Sequence, residues 1–301
     1  MKMHGSVLAI DAGGTKIHIA IAQDGKIVGE KRVATLAEKG GKQAFERMIL
    51  ASKELIRQTG FRIQSVGLAS PGVVHLDNKT TEFTWNIPGW DALGISEQLQ
   101  QVFSVPVIIE NDANMAAIAE DYYGDHGASF IMFAIGTGFG SGIIFNHQLW
   151  TGAHGAAGEI ARWVMNDKAL TMHLNYGHLE YLMSGSGFET RYYELSGKRC
   201  SGQEIAALEK KGDSLARLVF DEGALYLGIT AANAATLLDL DTIVLSGGVI
   251  MKHRERWIQS TVAIIEKFCL YPPKVVVSNL GDRSVLFGAL VAAYHILERN
   301  Q

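Results

Sequence analysis

The chain has 301 residues, 48% of them apolar and 19% charged, with a formal net charge of −4. That mix supplies core for about two domains and lacks the basic excess that nucleic acid or an anionic membrane calls for. No apolar run reaches the roughly 18 residues that span a bilayer, no signal-peptide core opens the chain, and Cys200 and Cys269 imply no disulfide framework. A cytoplasmic protein without membrane or nucleic-acid partners is expected.

The first predicted element is a hairpin. Residues 7–10 form an apolar strand that enters Asp11-Ala12-Gly13-Gly14-Thr15-Lys16, and residues 17–22 leave with alternating apolar positions. Paired glycines let backbone N–H groups approach an anion, Thr15 adds a hydroxyl and Lys16 a charge. Asp11 is a carboxylate that, beside phosphate, can hold a hard cation. The plain alternative is a Gly-Gly turn with a solvated lysine. Residues 26–33 read as a third strand. Residues 43–59 space Phe45, Met48, Ile49, Leu55 and Ile56 as an amphipathic helix. Residues 65–70 are a short buried strand ending in Pro71-Gly72, and the C-terminal ends of such strands are where α/β sheets place ligands. The loop at 85–90 carries Trp85, Asn86 and Trp90, which suit either core cover or an apolar, amide-bearing sugar platform.

Residues 105–110 form the next strand, and Asn111-Asp112-Ala113-Asn114 opens a helix to about 123. Asp112 reads as an N-cap or as a carboxylate at a cleft mouth that accepts the proton of a hydroxyl. Both hold if Asn111 caps and Asp112 faces the substrate. Residues 133–145 repeat strand, turn and strand around Gly136-Thr137-Gly138-Phe139-Gly140, which suggests a duplicated domain with a nucleotide phosphate chain between the halves. Glycines in a strand pair also mark bulges.

The stretch 152–187 is the least regular, with a close-packed turn into a short helix at 154–160. His173 and His178, without nearby cysteine, are weak metal ligands, and Glu180 opens a helix whose dipole favours an acid in any case. Residues 213–238 read as a long helix with Leu215, Leu218, Val219, Leu225, Ile229 and Leu237 as its apolar positions. A strand at 241–248 ends in Gly247-Gly248, with a helix at 254–268 beyond it. Backbone N–H groups there can meet an anion or lie flat against a nucleotide. A strand at 274–277 and a helix at 283–297 complete the chain.

These motifs together resemble the ROK family of bacterial sugar kinases, within the actin, hexokinase and heat-shock ATPase superfamily. The resemblance rests on Asp11-x-Gly13-Gly14-Thr15-Lys16, Glu110-Asn111-Asp112-x-Asn114, Gly136-Thr137-Gly138-x-Gly140, Gly155-x-x-Gly158-Glu159 and Ser246-Gly247-Gly248-Val249 in family order. It implies a two-lobed, actin-like (ribonuclease H-like) α/β fold with duplicated mixed sheets flanked by helices. The smaller lobe would span 1–115, with the C-terminal helix at 283–301 packed back on it. The larger would span 116–282, and the active site would lie in the cleft. It further implies ATP and Mg²⁺, with Gly13, Gly14, Thr15, Lys16, Gly136, Thr137, Gly138 and Gly140 on the phosphates, Gly247 and Gly248 on the adenosine side, and Asp11 near the metal. Asp112 would be the catalytic base, and Gly72, Asn86, Asn111, Asp112, Glu159 and Glu180 would hold the sugar. The acceptor would be the 6-hydroxyl of a hexose, amino sugar or β-glucoside, and the protein a homodimer.

The sequence also departs from the family. ROK members commonly follow Gly-Glu with a histidine and three cysteines that bind structural zinc. Here Arg162 stands in the histidine place and Thr171, His173 and His178 stand in the cysteine places. Arginine has no lone pair to offer a metal, so no zinc is expected. Arg162 reads either as a sugar-binding cation or as the partner of an acid such as Glu159 or Glu180. The alternatives to a kinase are a catalytically weak or inactive sugar or nucleotide sensor, a sugar-responsive repressor and an acyl kinase. Asp112 and both Gly-Thr turns argue against the sensor, the absence of a helix-turn-helix ahead of Asp11 against the repressor, and Gly158-Glu159 against the acyl kinase.

Overall fold

The computed structural model describes residues 3–77, 80–172 and 177–299. In chain order the strands and helices are β1 (Ser6–Ala12), β2 (Lys16–Gln23), β3 (Lys26–Ala34), α1 (Gly41–Thr59), β4 (Ser65–Ser70), β5 (Val73–Val74), β6 (Thr81–Glu82), α2 (Ile95–Phe103), β7 (Val107–Asn111) and α3 (Asp112–Tyr123). They continue with β8 (Phe130–Ile135), β9 (Phe139–Phe145), β10 (Gln148–Leu149), α4 (His178–Met183), α5 (Gly185–Ser196), α6 (Gly202–Lys210), α7 (Ser214–Leu238), β11 (Thr242–Ser246), α8 (Gly248–Lys252), α9 (Arg254–Phe268), β12 (Lys274–Val277) and α10 (Ser284–Arg299).

The chain forms two compact units, one of residues 1–125, 149–157 and 282–301, the other of residues 126–148 and 158–281. The first unit holds a five-stranded sheet in the order β3-β2-β1-β4-β7. The β1–β2 and β2–β3 pairs are antiparallel, and β1–β4 and β4–β7 are parallel. All three parallel strands therefore end on one edge, where Asp11, Ser70 and Asn111 sit. The period of two sends Leu8 and Ile10 to one face with Phe45, Met48, Leu55 and Leu99 of α1 and α2. Val7 and Ala9 go to the other face, against Leu286, Leu290 and Tyr294 of α10.

The second unit repeats the plan in the order β10-β9-β8-β11-β12, with β8–β9 antiparallel and β8–β11 and β11–β12 parallel. Its core gathers Phe133, Phe188, Phe220, Leu227 and Trp257. The Phe188 and Trp257 rings stack at 6.2 Å.

One expectation changes in α7. Leu218, Leu225 and Leu237 are exposed, and the buried residues include Ala216, Val219, Phe220, Gly223, Ala224, Leu227 and Gly228. Small residues set this face. A methyl group built on Gly223 would lie 2.7 Å from the Phe188 ring, and one on Gly228 would lie 2.4 Å from Ile264. Close approach there draws the small positions inward and leaves the leucines outside.

Candidate active site

In the first unit the Gly13-Gly14 turn closes with the Gly13 amide donating to the Lys16 carbonyl at 3.0 Å, and the Thr35 hydroxyl donates to the Gly13 carbonyl at 2.6 Å. Thr15 and Lys16 point into solvent. Asn86 lies against the same turn: a methyl group on Gly14 would sit 3.1 Å from the Asn86 carbonyl oxygen. Of the two tryptophans in that loop, Trp90 is core. It is fully buried and its indole N–H donates to the Ser70 hydroxyl at 2.9 Å. Trp85 is 57% exposed. Core cover is therefore the role of Trp90, and Trp85 stays outside the core.

Asn111 caps α3. Its side-chain oxygen accepts from the Ala113 and Asn114 amides at 2.9 and 3.2 Å, and its NH₂ donates to the Gly72 carbonyl at 2.9 Å. With the cap supplied by its neighbour, Asp112 keeps its carboxylate at the start of the helix, where one oxygen accepts the Ala113 amide at 2.8 Å. Glu110 is buried and accepts from the Asn111 amide at 2.8 Å and the Asn114 side chain at 3.0 Å.

Strand pairing aligns Arg32, His18, Asp11, Ala69 and Glu110 in one row across the sheet. Residues opposite one another share a face, so Asp11 belongs to a polar row. Burial pushes its carboxyl up to about 7, the charge of Asp112 adds to that, and Lys16 and Arg32 pull it back. Asp112 itself is raised by desolvation against the amide and Asn111 bonds that favour its anion. The negative charge of Asp112, by raising the proton affinity of Asp11, makes this a place that favours a cation with an oxygen preference.

In the second unit Gly136 and Gly138 close the second turn through a 3.0 Å amide-to-carbonyl bond, with Thr137 exposed. Gly140 lies inside β9 opposite Ala134. The start of α5 fastens to this turn, the Gly185 amide donating to Gly136 and the Ser186 amide to Thr137 at 2.8 and 3.1 Å. A pocket of about 510 Å³ opens here, lined among others by Gly136, Thr137, Ser186, Gly202, Gly248 and Lys252. It brings the second Gly-Thr turn and the Gly247-Gly248 turn together. Gly247 has φ 97°, and a methyl group on it would lie 2.2 Å from the Ile135 carbonyl oxygen, so no other residue fits that turn. Ser186, Gly202 and Lys252 lie outside the recognised motifs, Ser186 and Gly202 on α5 and α6 and Lys252 at the far end of the helix that the Gly247-Gly248 turn opens.

Glu180 is tied to the second turn by accepting the Phe139 amide at 2.9 Å. Burial raises its carboxyl, Glu159 raises it further, and Arg162 opposes the rise. Arg162 therefore lies in the field of the acids that the sequence analysis offered as its partners. Two of the substituted zinc positions have hydrogen-bond partners in the protein. The Thr171 hydroxyl donates to the Lys168 carbonyl at 3.0 Å, and Nδ1 of buried His178 accepts the Met165 amide at 3.0 Å. His173 and the rest of 173–176 lie outside the described residues. Among the described residues no three His, Cys, Asp or Glu side chains group as a metal site. No described helix is long and apolar enough to cross a membrane.

The model of the ROK family matches residues 7–295. This chain belongs to the ROK family. Among its ROK relatives, an N-acetyl-D-glucosamine kinase of Mannheimia succiniciproducens is 32% identical over 79% of this chain and 83% of its own. A xylose repressor of Caldicellulosiruptor bescii is 27% identical over 95% of this chain and 77% of its own. The crystal structure of a ROK hexokinase from Thermus thermophilus matches with a TM-score of 0.86 at 27% identity, covering 98% of this chain and 99% of the other. The ROK fold expected from the motifs, two mixed sheets of one topology flanked by helices, is the fold observed.

Proposed function

We propose that this ROK protein is an ATP-dependent sugar kinase that phosphorylates a hydroxyl, the 6-hydroxyl by analogy, of a hexose, amino sugar or hexoside. The observation that carries this reading is the Asp112 charge acting on the Asp11 carboxyl beside the Gly13-Gly14-Thr15-Lys16 turn. Phosphoryl transfer demands positioning and charge neutralisation more than covalent help. Asp112 accepts the proton of the attacking hydroxyl. Desolvation raises its proton affinity, which is the direction a general base requires. Asn111, fixed by its cap and by Gly72, sets the direction of Asp112, and Asn86, Glu159, Arg162 and Glu180 orient the other hydroxyls. The N–H groups of the two glycine turns and Lys16 bind the phosphates, and the pocket beside Gly248 takes the adenosine. Asp11 would hold Mg²⁺, which when bound neutralises charge on the phosphate oxygens.

The test is ADP release from ATP and Mg²⁺ over glucose, mannose, N-acetylglucosamine, N-acetylmannosamine and their glycosides. Turnover of at least one sugar, well above the rate without sugar, is expected. The xylose-repressor relative favours a second reading, sugar binding without turnover. A flat panel with sugar bound by calorimetry would select it.

The protein folds without zinc in this reading, because Arg162, Thr171 and His178 already have other work. Dialysis against EDTA is expected to leave the melting temperature in metal-free buffer unchanged. A fall that added zinc restores would overturn the assignment.

A further inference from the structure

On the α10 side of the first sheet, β2 and β3 set titratable side chains beside Asp11 that the function above does not use. His18 lies directly opposite Asp11 on β2, and Arg32 lies opposite His18 on β3. Lys16, two residues before His18, and Glu30, two before Arg32, share that face by the period of two. His18 is fully buried, and its Nδ1 has no hydrogen-bond partner among the described residues. Its Nε2 stands between the Glu30 carboxylate and Arg32, whose Nε–H reaches it at 3.2 Å. Burial holds the imidazole toward its neutral form, the Glu30 bond opposes that, and the charges of Arg32 and Lys16 support it. A buried ring that leaves one nitrogen unpaired is a costly way to fill a strand position that an apolar side chain would fill. What it provides is a fixed support for the Arg32 head.

The nearby acids leave that head available. Glu30 is occupied by Arg283, whose Nη2 donates to its two oxygens at 2.8 and 2.6 Å. The Asp282 carboxylate stays 3.8 Å from Nη2 of Arg32, beyond hydrogen-bond range. Among the described residues the Nη groups of Arg32 therefore donate no hydrogen bond, on a side chain that is 48% exposed. Lys16 is exposed beside it. The charges of both cations reach Asp11 and pull its carboxyl down against burial. A planar fork of unused N–H donors matches the oxygens of a phosphate, and a fork already fixed by its Nε loses less freedom on binding one.

We propose that Arg32 is a second phosphate-binding cation, gripping the nucleotide phosphates beyond the first, and that His18 is the residue that positions it. The inference rests on the sugar-kinase reading for the identity of the donor. Asp11 is the residue assigned to Mg²⁺, and in phosphoryl transfer the metal bridges the β- and γ-oxygens. A cation whose field reaches Asp11 serves those phosphates and not the α-phosphate.

The experiment measures calorimetric binding of AMP and of ATP with Mg²⁺ to the wild-type chain and to Arg32→Ala, Arg32→Lys, His18→Phe and Asp282→Asn, each checked for a cooperative melt. Arg32→Ala is expected to weaken ATP binding about 10- to 100-fold, the range for losing a hydrogen bond to a charged group, and to leave AMP binding within about twofold. Arg32→Lys should recover part of the loss, because the charge returns without the fork. His18→Phe should weaken ATP binding and spare AMP, and it should add nothing to Arg32→Ala in the double variant, as expected where one residue acts through the other. Asp282→Asn should leave both affinities within about twofold. Equal losses for AMP and ATP, or no loss in Arg32→Ala, would overturn the proposal. So would a loss in Asp282→Asn equal to that in Arg32→Ala, which would make the ion pair the purpose of Arg32. Additive losses in the double variant would remove His18 from the positioning role, and if His18→Phe does not fold the Arg32 variants decide alone. A wild-type chain that binds no ATP overturns the proposal outright. Absence of sugar turnover removes only the kinase reading, because the comparison of AMP with ATP needs no acceptor.

Discussion

Asp112→Asn is expected to lower kcat by about a hundred- to ten-thousand-fold, the range over which a positioned general base contributes. Sugar affinity should stay within about tenfold, since only the proton acceptor is lost. The substitution isolates chemistry from structure because Asn111, and not Asp112, carries the α3 cap through two amide bonds. An asparagine side-chain oxygen can still accept the Ala113 amide that Asp112 now accepts at 2.8 Å. Steady-state turnover with the preferred sugar, together with calorimetric sugar binding, separates the two quantities. Turnover within about threefold of wild type would remove Asp112 from the base role, and a loss of sugar binding matching the loss of kcat would make it a binding residue instead.

The motifs around the two sheets were legible because backbone geometry writes itself into residue type. Strands that end at Ala12, Ser70, Asn111 and Ser246 are short apolar runs, and the turns after them need glycine or a cap. The Asn111 cap was legible for the same reason, since adjacent amide and carboxylate at a strand-to-helix junction have only one good cap between them. The roles of the two tryptophans were not. Trp85 and Trp90 differ in their tertiary neighbours, Phe83 for one and Phe45 with Ser70 for the other, and no periodicity in a loop encodes that. The core face of α7 escaped because the sequence was weighed by leucine, whereas packing was decided by Gly223 and Gly228. The coupling of Asp11 to Asp112 joins residues a hundred positions apart and becomes visible only when β1, β4 and β7 lie side by side.

Asp11→Asn is expected to abolish Mg²⁺-dependent turnover and yet raise the melting temperature at pH 8. The Asp11 carboxyl titrates near 3.8 in an unfolded chain and is pushed up to about 7 here, chiefly by burial. Between those values the folded protein binds more protons than the unfolded one, so stability falls as pH rises from about 4 toward 7, and the full cost is present above 7. At 1.36 kcal/mol per pH unit the ceiling on that cost is ~4 kcal/mol. Lys16 and Arg32 lose a partner in the variant and bring the expected gain down to about 1–3 kcal/mol, a few degrees in a chain of this size. At pH 4 the wild-type carboxyl is protonated when folded, so the gain should shrink toward zero. Melting curves of both proteins from pH 4 to 8, without metal, read the effect directly, and Mg²⁺ titration of ATP binding reads the functional loss. A gain independent of pH would mean that Asp11 is not strained by its charge. A variant less stable at pH 8 would mean that the Lys16 and Arg32 contacts outweigh the burial of the anion. The sign matters for function: a carboxylate held at a cost beside Asp112 is a group whose burden a cation relieves, so Mg²⁺ should bind more tightly as pH rises through 7 and should raise the wild-type melting temperature most where the unliganded protein is penalised most.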